Sequence, residues 1–246
     1  MSIADKLVLI AENEQKVYKA GRDSFWDGFQ DYGNRTYYQN AFDGRNFNKI
    51  NFYPAYDIKP VGDADRLFYA WESGSEGEKH DMNLRQRLKE CGVVLDTSKA
   101  TNLSSAFNYF RAKEIPPIDF TGLTKTSDYV FAYGWGGVKT IEKIIVNENT
   151  AYDNWFYNTN GLENITVEGV IGQSGLDFSP CNILTAESIE SIINALSDHT
   201  SGLVVTFSLE SVNKAFETGE GLLNGNTSAE WTSLVNSKKN WTISLV

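Results

Sequence analysis

Ala100-Thr-Asn-Leu-Ser-Ser-Ala-Phe-Asn-Tyr-Phe110, Thr126-Ser-Asp-Tyr-Val-Phe-Ala-Tyr133 and Asn154-Trp-Phe-Tyr157 are three versions of one segment. Each sets a phenylalanine in a polar-aromatic turn, and each is followed by a short aliphatic run. The runs are Ile115-Pro-Pro-Ile118, Ile141-Glu-Lys-Ile-Ile-Val146 and Leu162-Glu-Asn-Ile-Thr-Val167. Phe107, Phe131 and Phe156 stand 24 and 25 residues apart. Moving toward the N-terminus, Phe68 precedes Val93-Val-Leu-Asp96 across a charged helix expected around residues 82–91, and Phe42 precedes Ile50-Asn-Phe52. One such unit is too small to bury both its ring and its strand face, so neighbouring units are expected to stack and share a core.

Either side of this body the rhythm changes. Ile3, Leu7, Ile10, Glu14, Val17 and Gly21 recur at alternating spacings of four and three, the period of a coiled-coil seam. Residues 1–30 are therefore expected to form a helical stem, either packed on its own domain or oligomerising, as a trimer, through Ile3, Leu7, Ile10 and Val17. Beyond residue 180, helices are expected over Leu184–Leu196 with Thr185 as cap, over Ser208–Phe216, and over Ser228–Val235. Strands are expected at Leu203–Phe207 and Trp241–Leu245. Residues 180–246 thus read as a helix-rich α/β cap on a repeating body at 37–179.

The turns at 100–110 and 126–133 resemble those of BspA-type leucine-rich repeats, in which an Asn/Thr-Ser-Met-Phe-like turn precedes a Leu-x-x-Ile/Leu strand. Leu162-Glu-Asn-Ile-Thr-Val-Glu-Gly169 fits that strand, while Ala106, Val130 and Trp155 stand where the family has Met. The unit length falls within the leucine-rich-repeat period of about 20–29 residues. The resemblance covers roughly residues 37–179 and implies an α/β repeat fold, a short leucine-rich-repeat-type solenoid. Ile3-Ala-Asp-Lys-Leu7, Phe25-Trp-Asp27 and the Trp241-Thr-Ile-Ser-Leu245 ending are also similar to leucine-rich-repeat proteins encoded by phages and prophages of gut Firmicutes. That likeness implies adhesion or recognition in a virion or tail-associated setting; a fold alone does not fix a function.

The chemistry-bearing residues are few. Of 246 residues two are histidines, His80 and His199, neither near a cysteine or a second histidine at ligand spacing. A His-based triad is thus nearly excluded by inventory. Asp63-Ala-Asp65 and Asp153-Asn154 lack the closing Glu of a calcium loop. Gly134-Trp-Gly-Gly137 and Gly219-Glu-Gly-Leu-Leu-Asn-Gly225 lack the Lys-Ser/Thr of a phosphate loop and read as turns. No catalytic residue, metal or cofactor is expected. Cys91 and Cys181 read as two buried thiols, with a disulfide between them left open.

A formal net charge of −10 repels phosphate backbones, so nucleic acid is not an expected partner. Arg85, Arg87 and Lys89 read as the wet face of the charged helix. The opening residues carry no signal-peptide core, since Asp5, Lys6, Glu12 and Glu14 interrupt it. No stretch approaches the roughly 20 apolar residues of a membrane span. Synthesis in the cytoplasm is expected, with a place in a virion tail or an extracellular role after lysis.

Aromatics make up 13% of the chain and gather beside the phenylalanines. Tyr69, Trp71, Tyr109, Tyr133, Trp135, Trp155 and Tyr157 are the expected binding face, although any one of these rings is more often core than exposed. Tyr and Trp supply large rigid contact area at low entropic cost, and Asn108, Asn154, Asn158 and Asn160 add hydrogen bonding. The function these residues suggest is non-enzymatic recognition of a host-surface glycan or protein. The alternatives are a structural virion or scaffold subunit and, less favoured, a carbohydrate-active enzyme.

Overall fold

The computed structural model describes residues 41, 42, 54, 57–71, 83–199, 201–216 and 228–246. The expected stem, its residues Ile3, Leu7, Ile10 and Val17, the run at 50–52, His80 and the glycines at 219–225 lie outside the described residues.

Four small parallel sheets and four short helices make up the described chain. The strands are β1 (Val61–Asp63), β2 (Lys99–Asn102), β3 (Glu114–Ile115), β4 (Ile118–Asp119), β5 (Ser127–Asp128), β6 (Thr140–Val146), β7 (Tyr152–Asp153), β8 (Asn164–Gly169), β9 (Asp177–Phe178), β10 (Leu203–Phe207) and β11 (Trp241–Leu245). The helices are α1 (Leu84–Cys91), α2 (Ala186–Asn194), α3 (Leu209–Phe216) and α4 (Ala229–Asn236). β1 pairs with β2, β5 with β7, and β10 lies between β9 and β11. In the remaining sheet β6 pairs with β3, β4 and β8.

This corrects the expected leucine-rich-repeat-type solenoid with its helix-rich cap. The strands divide among four sheets instead of forming one, and most are two to four residues long. One physical cause is visible at Ile115-Pro-Pro-Ile118. Proline has no N–H to give a ladder, so what would be one strand becomes β3 and β4, both held by β6. A register shift between Ile141 and Ile144 interrupts the pairing of β6 with β8 as well. The charged helix is present as α1, capped by the Asn83 side chain and ended by Gly92 in the left-handed region at φ 63°.

What runs through all the sheets is a column of phenylalanines. Phe42, Phe68, Phe107, Phe131, Phe156, Phe178 and Phe207 stack in sequence at centroid separations of 4.9, 5.4, 5.6, 5.5, 4.5 and 5.7 Å. All are buried, and they belong to one apolar cluster that reaches from Ala41 to Trp241. Fully burying each ring stabilises by roughly 1.5–3 kcal/mol, and near-parallel stacking adds to that.

The backbone around each ring is built to repeat. Two residues before and two after Phe68, Phe107, Phe131 and Phe156 the chain is left-handed: Arg66 and Ala70, Ser105 and Tyr109, Tyr129 and Tyr133, Asn154 and Asn158, at φ 52–58°. This winding points successive N–H groups of one turn at the next. Ser105, Phe107 and Tyr109 donate to the carbonyls of Asp128, Val130 and Ala132 at 2.8, 2.8 and 2.9 Å. Tyr129, Phe131 and Tyr133 donate likewise to Asp153, Trp155 and Tyr157. The turns approach so closely that a Cβ on Gly161 would lie 2.6 Å from the Gly136 Cα.

At β8 a helix takes over from the strands. The Ser188 and Ser191 hydroxyls of α2 accept from the Ile165 and Val167 N–H groups at 3.0 and 2.8 Å, where a further strand would have offered carbonyls. Thr185 caps α2 by accepting from the Ser188 N–H, as its place before the helix implies. Farther on, buried Lys238 donates to the Leu196 carbonyl and the Asp198 carboxylate, both at 2.7 Å. Those bonds fasten the β11 end to the α2 end.

Candidate recognition surface

Two positions beside the central phenylalanine share one fate in all four turns. The residue just before it points into the core: Leu67, Ala106, Val130 and Trp155 are all buried. The residue three after it does the same: Trp71, Phe110, Gly134 and Thr159 are covered. Trp71 stacks on Phe110 at 5.7 Å and donates its indole N–H to the Phe42 carbonyl. Trp155 packs 4.4 Å from Phe120 and donates to the Ser127 carbonyl at 2.6 Å. Trp71 and Trp155 are therefore core residues with satisfied indoles, which corrects their expected place on the binding face.

The other five expected residues come together on the outside. Tyr69 meets Tyr109 edge-on at 5.8 Å, and Tyr109 lies flat on Tyr133 at 4.7 Å with 5° between planes. Tyr157 meets Tyr133 edge-on at 5.3 Å, and Trp135 touches Tyr109 and Tyr133 at 5.7 and 5.9 Å. Tyr157 is 46% exposed, and the rest are half-buried.

A sixth ring was missed from the sequence. Tyr129 lies 6.5 Å from Tyr133 and 6.3 Å from Tyr157. It stands two residues before Phe131, and Tyr133 two after, so both occupy the left-handed positions that project outward. The equal offset on either side of the phenylalanine was the available signal. Arg111 also joins the surface, its guanidinium 4.1 Å above the Trp135 ring, and Arg66 lies 5.4 Å above Tyr69.

The backbone beneath this strip is unusual. Tyr109, Tyr129, Tyr133 and Trp135 have φ of 58°, 52°, 56° and 41°. For L-residues with a bulky Cβ branch this region costs roughly 1–2 kcal/mol each, whereas asparagine enters it readily. Asparagine is what stands at the matching positions 154 and 158, with φ of 52° and 56°. Strain of this kind persists where the surrounding structure imposes it and concentrates at functional sites.

The phenols sit close enough to influence one another. Cover by neighbouring atoms, then the hydroxyls of Tyr157, Tyr109 and Tyr129, hold the Tyr133 phenol above the ordinary tyrosine range. The Tyr133 hydroxyl thus remains a neutral donor and acceptor at physiological pH.

Elsewhere the described residues offer little chemistry. They contain no group of three or more His, Cys, Asp or Glu side chains placed to hold a metal ion. His199 is exposed, its backbone N–H donating to the Ser197 hydroxyl. No disulfide joins Cys91 and Cys181. The Cys181 thiol is buried, donates to the Thr159 carbonyl at 3.1 Å, and is pushed above its usual pKa by burial, which suppresses its thiolate. Arg85 and Lys89 face solvent on α1, where Arg85 pairs with Glu142 and Glu114, while Arg87 is half-buried. Among the described residues no helix is long and apolar enough to cross a membrane.

Comparison with known proteins finds no matching family model, no matching curated protein and no matching solved structure.

Proposed function

We propose that this chain is a non-enzymatic recognition protein that engages a cell-surface ligand through the strip formed by Tyr69, Tyr109, Tyr129, Tyr133, Trp135 and Tyr157. The observation that carries this reading is the strain under Tyr129 and Tyr133. Asparagine would suit the same turns at lower cost and occupies them one unit later. Backbone strain under a bulky ring clusters at sites of function, and Tyr129 and Tyr133 carry it side by side on the outer face. Tyrosine-rich surfaces of rigid geometry are what recognition faces use, and this one is fixed by turn-to-turn hydrogen bonds before any ligand arrives. The similarity of the opening and closing segments to phage-encoded proteins supports a tail-associated, receptor-binding setting.

The test is adhesion of labelled protein to whole bacterial cells. Saturable binding lost on Tyr133→Asn and Trp135→Ala, with the circular dichroism spectrum unchanged, is the expected result. A protein that binds no cells would remove this function.

A further inference from the structure

We infer that the ligand of the strip is a linear oligosaccharide of about four sugar units, lying along the stacking direction with one unit per turn. This rests on the recognition role proposed above and narrows it.

Size speaks first. An aromatic side chain can bury about 150–250 Å², and every ring of the strip, Tyr157 included, is more than half covered. Six such rings offer on the order of 400 Å². A standard protein interface buries about 800 Å² on each partner, so the strip is half of what a folded partner needs. It is ample for a short chain molecule.

Shape speaks next. The strip is long and narrow, with outward rings on four successive turns, and neighbouring rings lie 4.7–5.8 Å apart along the path Tyr69, Tyr109, Tyr133, Tyr157. That advance is close to the length of one sugar unit in an extended β-linked glycan.

Chemistry distinguishes the sugar from a greasy ligand. Tyr109 and Tyr133 spend their faces on each other, and Arg111 covers one face of Trp135. What Tyr109 and Tyr133 leave to a ligand is ring edges and hydroxyls, donor and acceptor alike. Tyr157, the most exposed, meets both Tyr129 and Tyr133 edge-on and offers the best platform for stacking against a sugar face. A polyhydroxylated chain satisfies such a surface at every step, whereas an alkyl chain would desolvate the phenols without pairing them.

The full chain is screened against an array of defined linear and branched oligosaccharides from bacterial and animal surfaces. For the sugar that binds, titration calorimetry is repeated from disaccharide to octasaccharide. The expected result is affinity rising at least tenfold up to the tetrasaccharide and levelling there. Tyr133→Asn should weaken it at least tenfold, while Arg85→Ala, on the strand side, leaves it unchanged. An affinity that climbs steadily past four units, or binding indifferent to Tyr133→Asn, overturns the inference. So does an array with no binding. In that last case cells oxidised with periodate separate the two levels. Tyr133-dependent adhesion that survives oxidation leaves recognition standing with a protein ligand, and absence of adhesion removes both.

Discussion

The phenylalanine column and the tyrosine strip are drawn from the same turns and share nearly the same pitch, yet they meet opposite demands. The seven phenylalanines are buried and stack at 4.5–5.7 Å. The tyrosines pair at 4.7–6.5 Å and remain partly exposed. The positions one before and three after each phenylalanine are buried in all four turns, whereas one after it Asn108 and Ala132 are buried and Tyr157 is exposed. The lesson is that the aromatic richness of this chain is two populations. The inner one holds the turns together, and four rings of the outer one, Tyr109, Tyr129, Tyr133 and Trp135, are carried against local backbone preference.

The comparison breaks most visibly at the inner column. Phe131→Ala removes a ring stacked on both Phe107 and Phe156, and large-to-small changes of this type cost roughly 3–5 kcal/mol. Urea unfolding should show that loss in full, and a change below about 1 kcal/mol would mean the column is not what joins the turns.

Close approach of the turns supplies the next effect. Gly161→Ala places a Cβ against the Gly136 backbone, which no side-chain rotation relieves, so a loss of about 1–3 kcal/mol is expected by the same measurement. An alanine accepted without loss would show that the turns can separate freely.

A smaller effect belongs to the outer strip. Tyr129→Asn trades a half-buried ring for a residue at ease with φ 52°. Relief of strain offsets most of the lost contact, so stability should change by no more than about 1 kcal/mol, checked against Tyr129→Ala. The alanine variant keeps the strain and should be the less stable of the two.

The smallest effect is a matter of pH. The Lys238 ammonium bonded to Asp198 holds that carboxyl below the ordinary aspartate value. A carboxyl whose folded value is depressed contributes stability above its unfolded value of about 3.9, and the contribution disappears as pH falls through the folded value. Asp198→Asn should therefore narrow the stability gap between pH 6 and pH 2 slightly. An unchanged gap would show that the pair, most exposed on its Asp198 side, contributes nothing measurable.

How far the sequence could be read follows the same division. The spacing of Phe107, Phe131 and Phe156 was enough to place them in one column, because a ring needing burial in every unit has only its neighbours to use. The C-terminal elements were legible from capping and periodicity, as Thr185 shows. The sheets were not, since strands of two residues such as β5 and β7 exist only through each other's hydrogen bonds. Proximity to phenylalanine gathered Tyr109, Tyr133 and Tyr157, whose rings the structure brings together, along with Trp71 and Trp155, which it buries in the core. Adjacency in sequence does not distinguish inward from outward positions: Trp155 and Tyr157 both adjoin Phe156, and the first is buried while the second is exposed.

The most direct measurement takes one variant, Tyr133→Asn, and determines both its unfolding free energy and its adhesion to cells. The expected pair of results is stability within about 1.5 kcal/mol of the parent and adhesion abolished. Adhesion retained, or a stability loss as large as that of Phe131→Ala, would contradict the claim that this ring is held in place for a ligand and not for the fold.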